Sequence, residues 1–368
     1  MKKTMLAVMV AALAVPAGAQ VPQETLRRFS EAYLGHAPGS RTEVRVERSA
    51  TTTAGPYMVV NGIRTLASGR QQQLGMLVDP TLRQVTAGMV YPLPETTPPV
   101  TPATVQSFAE RLLPGVLGQV LGGRSHIRWP VVPTRPTGVA AITAMVSTGY
   151  GDIAVPVAVS ADGRYVVLGN TWPLDRDPRA VRRELIQDAA LQRGAPAADS
   201  AVMVAEFSDY QCPACSRGWE SMRGIMAQLD GRVQHGLGNF PLVQSHPWSF
   251  RAAVAGICVE QLAPRAFLAF KEEMYRTQGA ITLETVDDAV ITFVSQRGID
   301  ETAFRACYMK DAAIDRVLRH MELGHRMGVQ GTPSYYFGGE LLPFGDWDQV
   351  RSRMAAILAA GGIAENAP

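Results

Sequence analysis

A pair of cysteines in the segment FSDYQCPACSRGW, residues 207–219, constrains the fold of this chain more than any other feature. The pair, Cys212 and Cys215, follows the apolar run AVMVAEF of residues 201–207, which is typical of a buried strand. It precedes a segment whose apolar residues recur at helical spacing: Trp219, Met222, Ile225, Met226 and Leu229. The pattern therefore predicts a strand, a turn that carries the two cysteines, and a helix.

Uses of the pair other than electron exchange have weak support. A c-type haem would need a histidine after the second cysteine, but Ser216 stands there. A structural zinc site would need a second pair of ligands, and neither the other two cysteines nor the six histidines supply one at ligand spacing. A purely structural disulfide between Cys212 and Cys215 remains an alternative, although so short a loop restrains little of the unfolded chain.

The residues around the pair favour electron exchange. Pro213 suits the first turn of a helix and would place Cys212 at the helix N-terminus, where free N–H groups and the helix dipole stabilise a thiolate. The thiolate is the attacking species in disulfide exchange, and Cys215, one turn further on, would resolve the mixed disulfide. Glu206 is the only acid of the apolar strand. It is either a buried carboxylate that carries protons for Cys215 or a tolerated residue at a strand edge.

These residues, together with GTPSYYFGG at 331–339, resemble the thioredoxin superfamily, and a helical block between the second and third strands resembles its DsbA-like periplasmic branch. The resemblance covers about residues 198–362. It implies an α/β thioredoxin fold with a helical insertion at about 247–328. A linker of residues 176–197 would precede it, with a helix from about Asp177 to Gln192.

The resemblance also implies roles for five residues. Cys212 would be the nucleophile, Cys215 the resolving thiol and Glu206 the buried acid. Pro333 would form a cis-proline loop that faces the cysteines, and Thr332 before it would present its backbone to an incoming peptide strand. One departure is the dipeptide Pro-Ala between the cysteines, which lacks the histidine of the strongest oxidants in this family and so removes one cation beside the Cys212 thiolate.

A second pair, Cys258 and Cys307, lies in the helical block at positions where many members of this branch carry cysteines. The resemblance therefore implies a structural disulfide between two amphipathic helices, which would close a loop of about 50 residues and contribute about 3–4 kcal/mol to stability. Two free buried cysteines and an electron relay are the alternatives.

The N-terminal half contains two pairs of similar segments. LRQVTAGMVYPL (82–93) aligns without gaps on GRYVVLGNTWPL (163–174), and FSEAYL (29–34) matches FAERLL (108–113) at nearly the same separation. Chance similarity between alternating strands is the alternative to a duplication.

We therefore expect an α+β domain over residues 20–175, built from tandem repeats at about 22–95 and 101–175, each a helix followed by strands. The segment SADGRYVVLGNTWPL resembles the last hairpin of the dimerisation domain of the isomerases DsbC and DsbG. Two such modules in one chain would pair with each other and allow a monomer.

The first residues, MKKTMLAVMVAALAVPAGAQ, predict an export signal at 1–19 that is cleaved after about Ala19. Its apolar run is too short for a membrane anchor. In an oxidising compartment such as the periplasm, paired cysteines persist as disulfides. No dense basic run indicates nucleic-acid binding, and no motif indicates a cofactor or a metal.

The sequence thus predicts a periplasmic thiol–disulfide oxidoreductase that acts on unfolded or partly folded exported proteins with cysteines. We expect an oxidase; an isomerase or reductase of the DsbC/DsbG type is the alternative, and a redox-independent chaperone is a rival of a different class. The family resemblance implies a membrane redox partner that reloads the pair.

Overall fold

The computed structural model describes residues 21–100 apart from positions 53, 96 and 98, and then residues 125–126, 138–193, 202–229 and 231–361. The predicted export signal, the FAERLL segment and the last residues of the expected linker lie outside this part of the chain. Within it, no helix combines the length and apolar character needed to cross a membrane.

The N-terminal region is mostly sheet. Its described elements are helix α1 (Gln23–Leu34) and strands β1 (Arg41–Thr52), β2 (Gly55–Thr65), β3 (Gln71–Asp79), β4 (Gln84–Pro92), β5 (Ser125–His126), β6 (Val139–Ser147), β7 (Asp152–Ser160), β8 (Tyr165–Leu168) and β9 (Thr171–Pro173). They form one sheet in the order β1-β2-β3-β4-β8-β7-β6-β5, with β9 also paired to β4. Leu26, Phe29 and Tyr33 of α1 are buried against one face.

The two segments that align in the sequence pair with each other. In the alignment, Gln84 is equivalent to Tyr165 and Pro92 is equivalent to Pro173. In the sheet, Gln84 lies opposite Pro173 and Pro92 lies opposite Tyr165, so each of these two residues faces the equivalent of the other. The pairing therefore has an approximate two-fold symmetry within one chain. The duplication itself stays a prediction.

Two glycines lie at the centre of this crossing. A Cβ atom added to Gly88 would lie 2.0 Å from the carbonyl oxygen of Leu168, and one added to Gly169 would lie 2.0 Å from the carbonyl oxygen of Ala87. Only glycine allows two strands to approach this closely.

The C-terminal region has a thioredoxin fold. Its strands are β10 (Val202–Ser208), β11 (Val233–Asn239), β12 (Ser334–Phe337) and β13 (Glu340–Leu341), in the order β11-β10-β12-β13. Helix α3 (Pro213–Gln228) follows β10, and the last helix (Trp347–Ala359) begins where the Asp346 side chain accepts a hydrogen bond from the Gln349 N–H. Strand β10 pairs in parallel with β11 and antiparallel with β12, so it lies in the middle of the sheet.

The helical insertion lies between β11 and β12. Its helices are α4 (Ser249–Leu262), α5 (Phe267–Thr277), α6 (Val286–Gln296), α7 (Glu301–Tyr308) and α8 (Asp311–Met327). Helix α4, which carries Cys258, is not amphipathic as expected, because every residue from Ser249 to Val259 except Arg251 is buried. The other helices of the insertion surround it.

The linker helix α2 (Pro178–Gln187) is shorter than expected. Asp177 caps its start by accepting a hydrogen bond from the Arg179 N–H, but the helix ends at Gln187 rather than Gln192. The reason is tertiary: the backbone of Gln192 exchanges hydrogen bonds with Leu237 of β11.

Several contacts fix the N-terminal sheet to the C-terminal domain. The ring of Tyr150, at the β6–β7 turn, stacks on Phe250 with 4.1 Å between centroids and 2° between planes. The Ala154 N–H donates to the Glu322 carboxylate at 2.8 Å. The buried guanidinium of Arg182 donates to the backbone oxygens of Tyr33 and Met327. The two parts of the molecule are thus joined by direct packing.

Candidate active site

Cys212 and Cys215 lie at the N-terminus of α3. Cys212 has an extended backbone (φ −74°, ψ 119°) and is the N-cap residue, because Pro213 occupies the first turn, where no N–H group is needed. Cys215 is one turn into the helix. Only 7% of Cys212 is exposed and none of Cys215, so only the first sulfur is accessible from solvent.

The environments of the two thiols push their pKa values apart. The Cys215 side chain and the backbone amides of Cys215 and Ala214 donate to the Cys212 sulfur and, against the opposing effect of burial, lower its pKa to about 5. Burial and the neighbouring Cys212 thiolate raise the pKa of Cys215 well above its ordinary value. One sulfur is therefore ionised at neutral pH and the other is protonated.

The peptide bond between Thr332 and Pro333 is cis, and this loop lies beside the first cysteine. The Cys212 sulfur is 3.6 Å from the Thr332 carbonyl oxygen. Gly218 of α3 lets the helix approach the loop, since a Cβ atom there would lie 3.2 Å from the Pro333 ring. The loop and the cysteines thus meet as expected.

Glu206 is fully buried on the central strand β10, so the strand-edge alternative is wrong. Its Oε2 atom accepts hydrogen bonds from Lys271 Nζ at 2.5 Å and from His235 Nε2 at 2.7 Å. Burial would raise the pKa of Glu206, but the Lys271 charge and the His235 hydrogen bond outweigh it and lower the pKa to about 2. The carboxylate is therefore ionised, and its Oε1 atom has no hydrogen-bond partner in the described part of the chain.

Lys271 and His235 were missed in the sequence. Lys271 Nζ is completely buried and lies 3.6 Å from the centre of the Trp219 ring. Burial lowers its pKa, while Glu206 and Cys215 raise it. Burial and Lys271 lower the pKa of His235 to about 4, so its imidazole is neutral. A signal for Lys271 was available: it lies four residues after Phe267, on the buried face of α5.

A second buried carboxylate lies beside the cysteines. Asp209, between β10 and α3, accepts hydrogen bonds from the backbone N–H groups of Gln211 and Leu242, each at 2.7 Å. The His246 ring donates to the same carboxylate through Nδ1 at 2.8 Å. The Asp209 carbonyl oxygen accepts the Cys212 N–H at 3.2 Å. Sequence reasoning assigned neither residue.

The other cysteines form the disulfide that the family resemblance implies. Cys258 of α4 and Cys307 of α7 are joined, with their Cα atoms 5.8 Å apart. Cys258 is fully buried in the apolar core of the insertion.

A cavity of about 490 Å³ lies between the N-terminal sheet and the C-terminal domain. Its walls include Leu168 and Val155 from the sheet and the 240–245 segment from the C-terminal domain. The N–H group of Leu242, one of the lining residues, donates a hydrogen bond to Asp209 at 2.7 Å.

Comparison with known proteins agrees with this geometry. A family model described as thioredoxin matches residues 188–358. The chain is 28% identical over 152 residues to a probable disulfide bond formation protein D of Bacillus cereus. This match covers 39% of this chain and 68% of that protein. The chain is 26% identical over 168 residues to disulfide bond formation protein D of Bacillus subtilis. This match covers 44% of this chain and 74% of that protein. Residues 188–358 thus match a thioredoxin domain, and the chain is similar to the disulfide bond formation proteins.

Solved structures are similar to about half of this chain. Proteus mirabilis ScsC in a transitional conformation is 26% identical, with a TM-score of 0.42, over 50% of this chain and 81% of that chain. Oxidised BdbD from Bacillus subtilis is 22% identical, with a TM-score of 0.40, over 47% and 99%. The matches to these proteins and to the curated relatives each cover half of this chain or less.

Proposed function

We propose that the chain is an exported oxidase of cysteine-containing proteins in which Cys212 and Cys215 are the redox-active pair. The observation that carries the proposal is the contrast between a Cys212 thiol with a pKa of about 5 and a buried Cys215 thiol with a strongly raised pKa. A thiolate stabilised at Cys212 stabilises the reduced pair, which makes the disulfide a stronger oxidant.

The reaction has two exchange steps. In the first step, a client thiolate attacks the Cys212 sulfur of the Cys212–Cys215 disulfide. A disulfide bond forms between the client and Cys212, and the bond between Cys212 and Cys215 breaks. Cys215 leaves with the electron pair and takes a proton. A second client thiol then loses its proton and attacks the client sulfur of the mixed disulfide, and Cys212 leaves as a thiolate. The client loses two electrons and two protons; one proton stays on Cys215 and the other enters solvent.

Glu206 and Lys271 would carry the proton to and from the Cys215 sulfur. Lys271 acts electrostatically on both Glu206 and Cys215, and its pKa is lowered by burial. The unbonded Oε1 atom of Glu206 offers a second acceptor. The pair therefore carries the proton together, rather than Glu206 alone.

Thr332 and Pro333 would hold the client next to Cys212. The Thr332 carbonyl is already 3.6 Å from the sulfur, so an extended peptide bound along this loop would bring its cysteine to the same place. Pairing with backbone groups suits many clients, because it is independent of their side chains.

The export signal at 1–19 would deliver the protein to the periplasm, and a membrane redox protein would reoxidise the pair. Trapping free thiols by alkylation in cells tests the direction. An oxidase holds Cys212–Cys215 mostly as the disulfide; a pair found mostly as the dithiol would overturn the oxidase role and favour an isomerase or reductase.

The interdomain cavity favours a second function, the binding of unfolded chains by the N-terminal domain. Its walls are mainly apolar, and its lining residue Leu242 is hydrogen-bonded to Asp209. A chaperone that does not use the cysteines would suppress client aggregation equally well in the wild type and in Cys212→Ser.

The symmetric pairing of β4 with β8 and β9 supports a monomer whose N-terminal domain is an intrachain pseudo-dimer. Light scattering after size exclusion should give the mass of one chain. A tight dimer formed through residues 20–175 would contradict the proposal.

A further inference from the structure

The dipeptide between the cysteines, Pro-Ala, carries no charge that could stabilise the Cys212 thiolate. Instead, the residue three positions before Cys212 is an acid, Asp209, whose side chain is completely buried. An unpaired buried carboxylate next to a thiolate would be costly and would disfavour ionisation of the sulfur. A positive charge beside Asp209 would offset this effect.

His246 meets this need from a distant part of the sequence. It lies in the segment between β11 and α4, and its Nδ1 atom donates to Asp209 Oδ2 at 2.8 Å. Its side chain is 18% exposed, so it can exchange protons with solvent. The hydrogen bond to Asp209 raises its pKa, and the charges of Asp209 and of the Cys212 thiolate raise it further against the effect of burial. These two are the charged groups of the described chain that act on it.

The Asp209 contacts fix the imidazole relative to the cysteine. Besides His246, the Asp209 carboxylate binds the N–H groups of Gln211 and Leu242, and its carbonyl oxygen binds the Cys212 N–H. One residue thus holds the first turn of α3 and the histidine segment together.

We propose that His246, protonated and hydrogen-bonded to Asp209, is the cation that stabilises the Cys212 thiolate in this enzyme. It is a positioning residue, because it acts through its charge and forms no bond to the client. The inference rests on the proposed function, in which Cys212 is the reacting sulfur.

The proposal couples the histidine to the redox state. In the dithiol form the Cys212 thiolate raises the pKa of His246; in the disulfide form that negative charge is absent, so the pKa falls. Oxidation of the pair removes two electrons and the Cys215 proton, and in the pH range between the two His246 values it releases a further proton from the imidazole. The reduction potential therefore depends more steeply on pH in that range.

The experiment uses the full chain and two readouts. Nuclear magnetic resonance follows the pH titration of His246 in the reduced protein, in the oxidised protein and in Cys212→Ser. We expect His246 to titrate at a higher pH in the reduced protein than in the other two. The same midpoint in all three would overturn the proposal.

The second readout is the thiolate absorbance of Cys212 as a function of pH. His246→Gln should reduce the thiolate fraction at low pH about tenfold, whereas His36→Gln, a histidine of the N-terminal region, should leave it unchanged. Adding Asp209→Asn to His246→Gln should restore part of the loss, because it removes the carboxylate that the imidazole neutralised. An unchanged titration in His246→Gln would also overturn the proposal.

These outcomes are distinct from failure of the proposed function. If the proposed function fails, either the wild-type protein does not oxidise a reduced peptide or Cys212→Ser still oxidises it. If only the His246 inference fails, the wild type oxidises the peptide and the variant has the wild-type thiol titration.

Discussion

The two cysteine pairs of this protein have the same chemistry but opposite surroundings. Cys212 and Cys215 are three residues apart at a helix N-terminus, with Glu206, Lys271 and Asp209 close behind them. Cys258 and Cys307 are separated by 49 residues and join two helices in an apolar core. This contrast supports the proposal that backbone amides and buried charges, rather than the sulfur itself, make one pair reactive and leave the other to stabilise the fold.

The largest expected difference between the two pairs is in activity, and it is measured by removing Cys212 from the first pair and both sulfurs from the second. Cys212→Ser should abolish oxidation of a reduced client peptide, a loss of at least about 1,000-fold, because no other sulfur is accessible at the site. Replacing Cys258 and Cys307 together by Ser should leave the turnover within about twofold of wild type under conditions where the protein is folded. Activity in Cys212→Ser, or its loss in the double variant, would reverse the assignment.

Cys215→Ser separates the two steps of exchange. Without the resolving thiol, client proteins should remain attached to Cys212 as mixed disulfides, because the escape reaction is lost. Non-reducing electrophoresis of exported proteins should show these adducts, and Cys212→Ser,Cys215→Ser serves as the matched control. An absence of adducts that depend on Cys212 would count against the mechanism.

Lys271→Met tests the charges behind the reactive pair. It leaves the Glu206 carboxylate buried without its cation and should lower the free energy of unfolding by about 3–5 kcal/mol. Urea denaturation measures this change. The double variant Glu206→Gln,Lys271→Met should lose less than the single one, since no charge remains buried; an equal or larger loss would show that the two side chains are independent.

The structural pair should contribute to stability alone. The Cys258→Ser,Cys307→Ser protein should lose about 3–4 kcal/mol of unfolding free energy, because the unfolded chain regains the freedom of a long loop. Urea denaturation of both proteins under non-reducing conditions measures the loss. A free energy of unfolding equal to that of the wild type would show that the disulfide does not stabilise the fold.

Features of the reactive pair that depend on neighbouring residues could be predicted from the sequence. Pro213 beside Cys212 was enough to predict the helix N-terminus, and Glu206 was recognised because it interrupts an apolar strand. The partners of Glu206 were missed, since Lys271 and His235 come from elements whose contacts with β10 depend on tertiary packing. The linker helix ends early for the same reason: Gln192 pairs with Leu237, a contact that local propensity does not encode.

The central claim is that the N-terminus of α3 and its neighbours hold Cys212 as a thiolate at neutral pH. The most direct test is a pH titration of thiolate absorbance in the reduced protein. Because the pKa of Cys215 is raised, the transition at lower pH reports the ionisation of Cys212. We expect a midpoint at about pH 5. A midpoint near that of free cysteine, about 8.5, would contradict it.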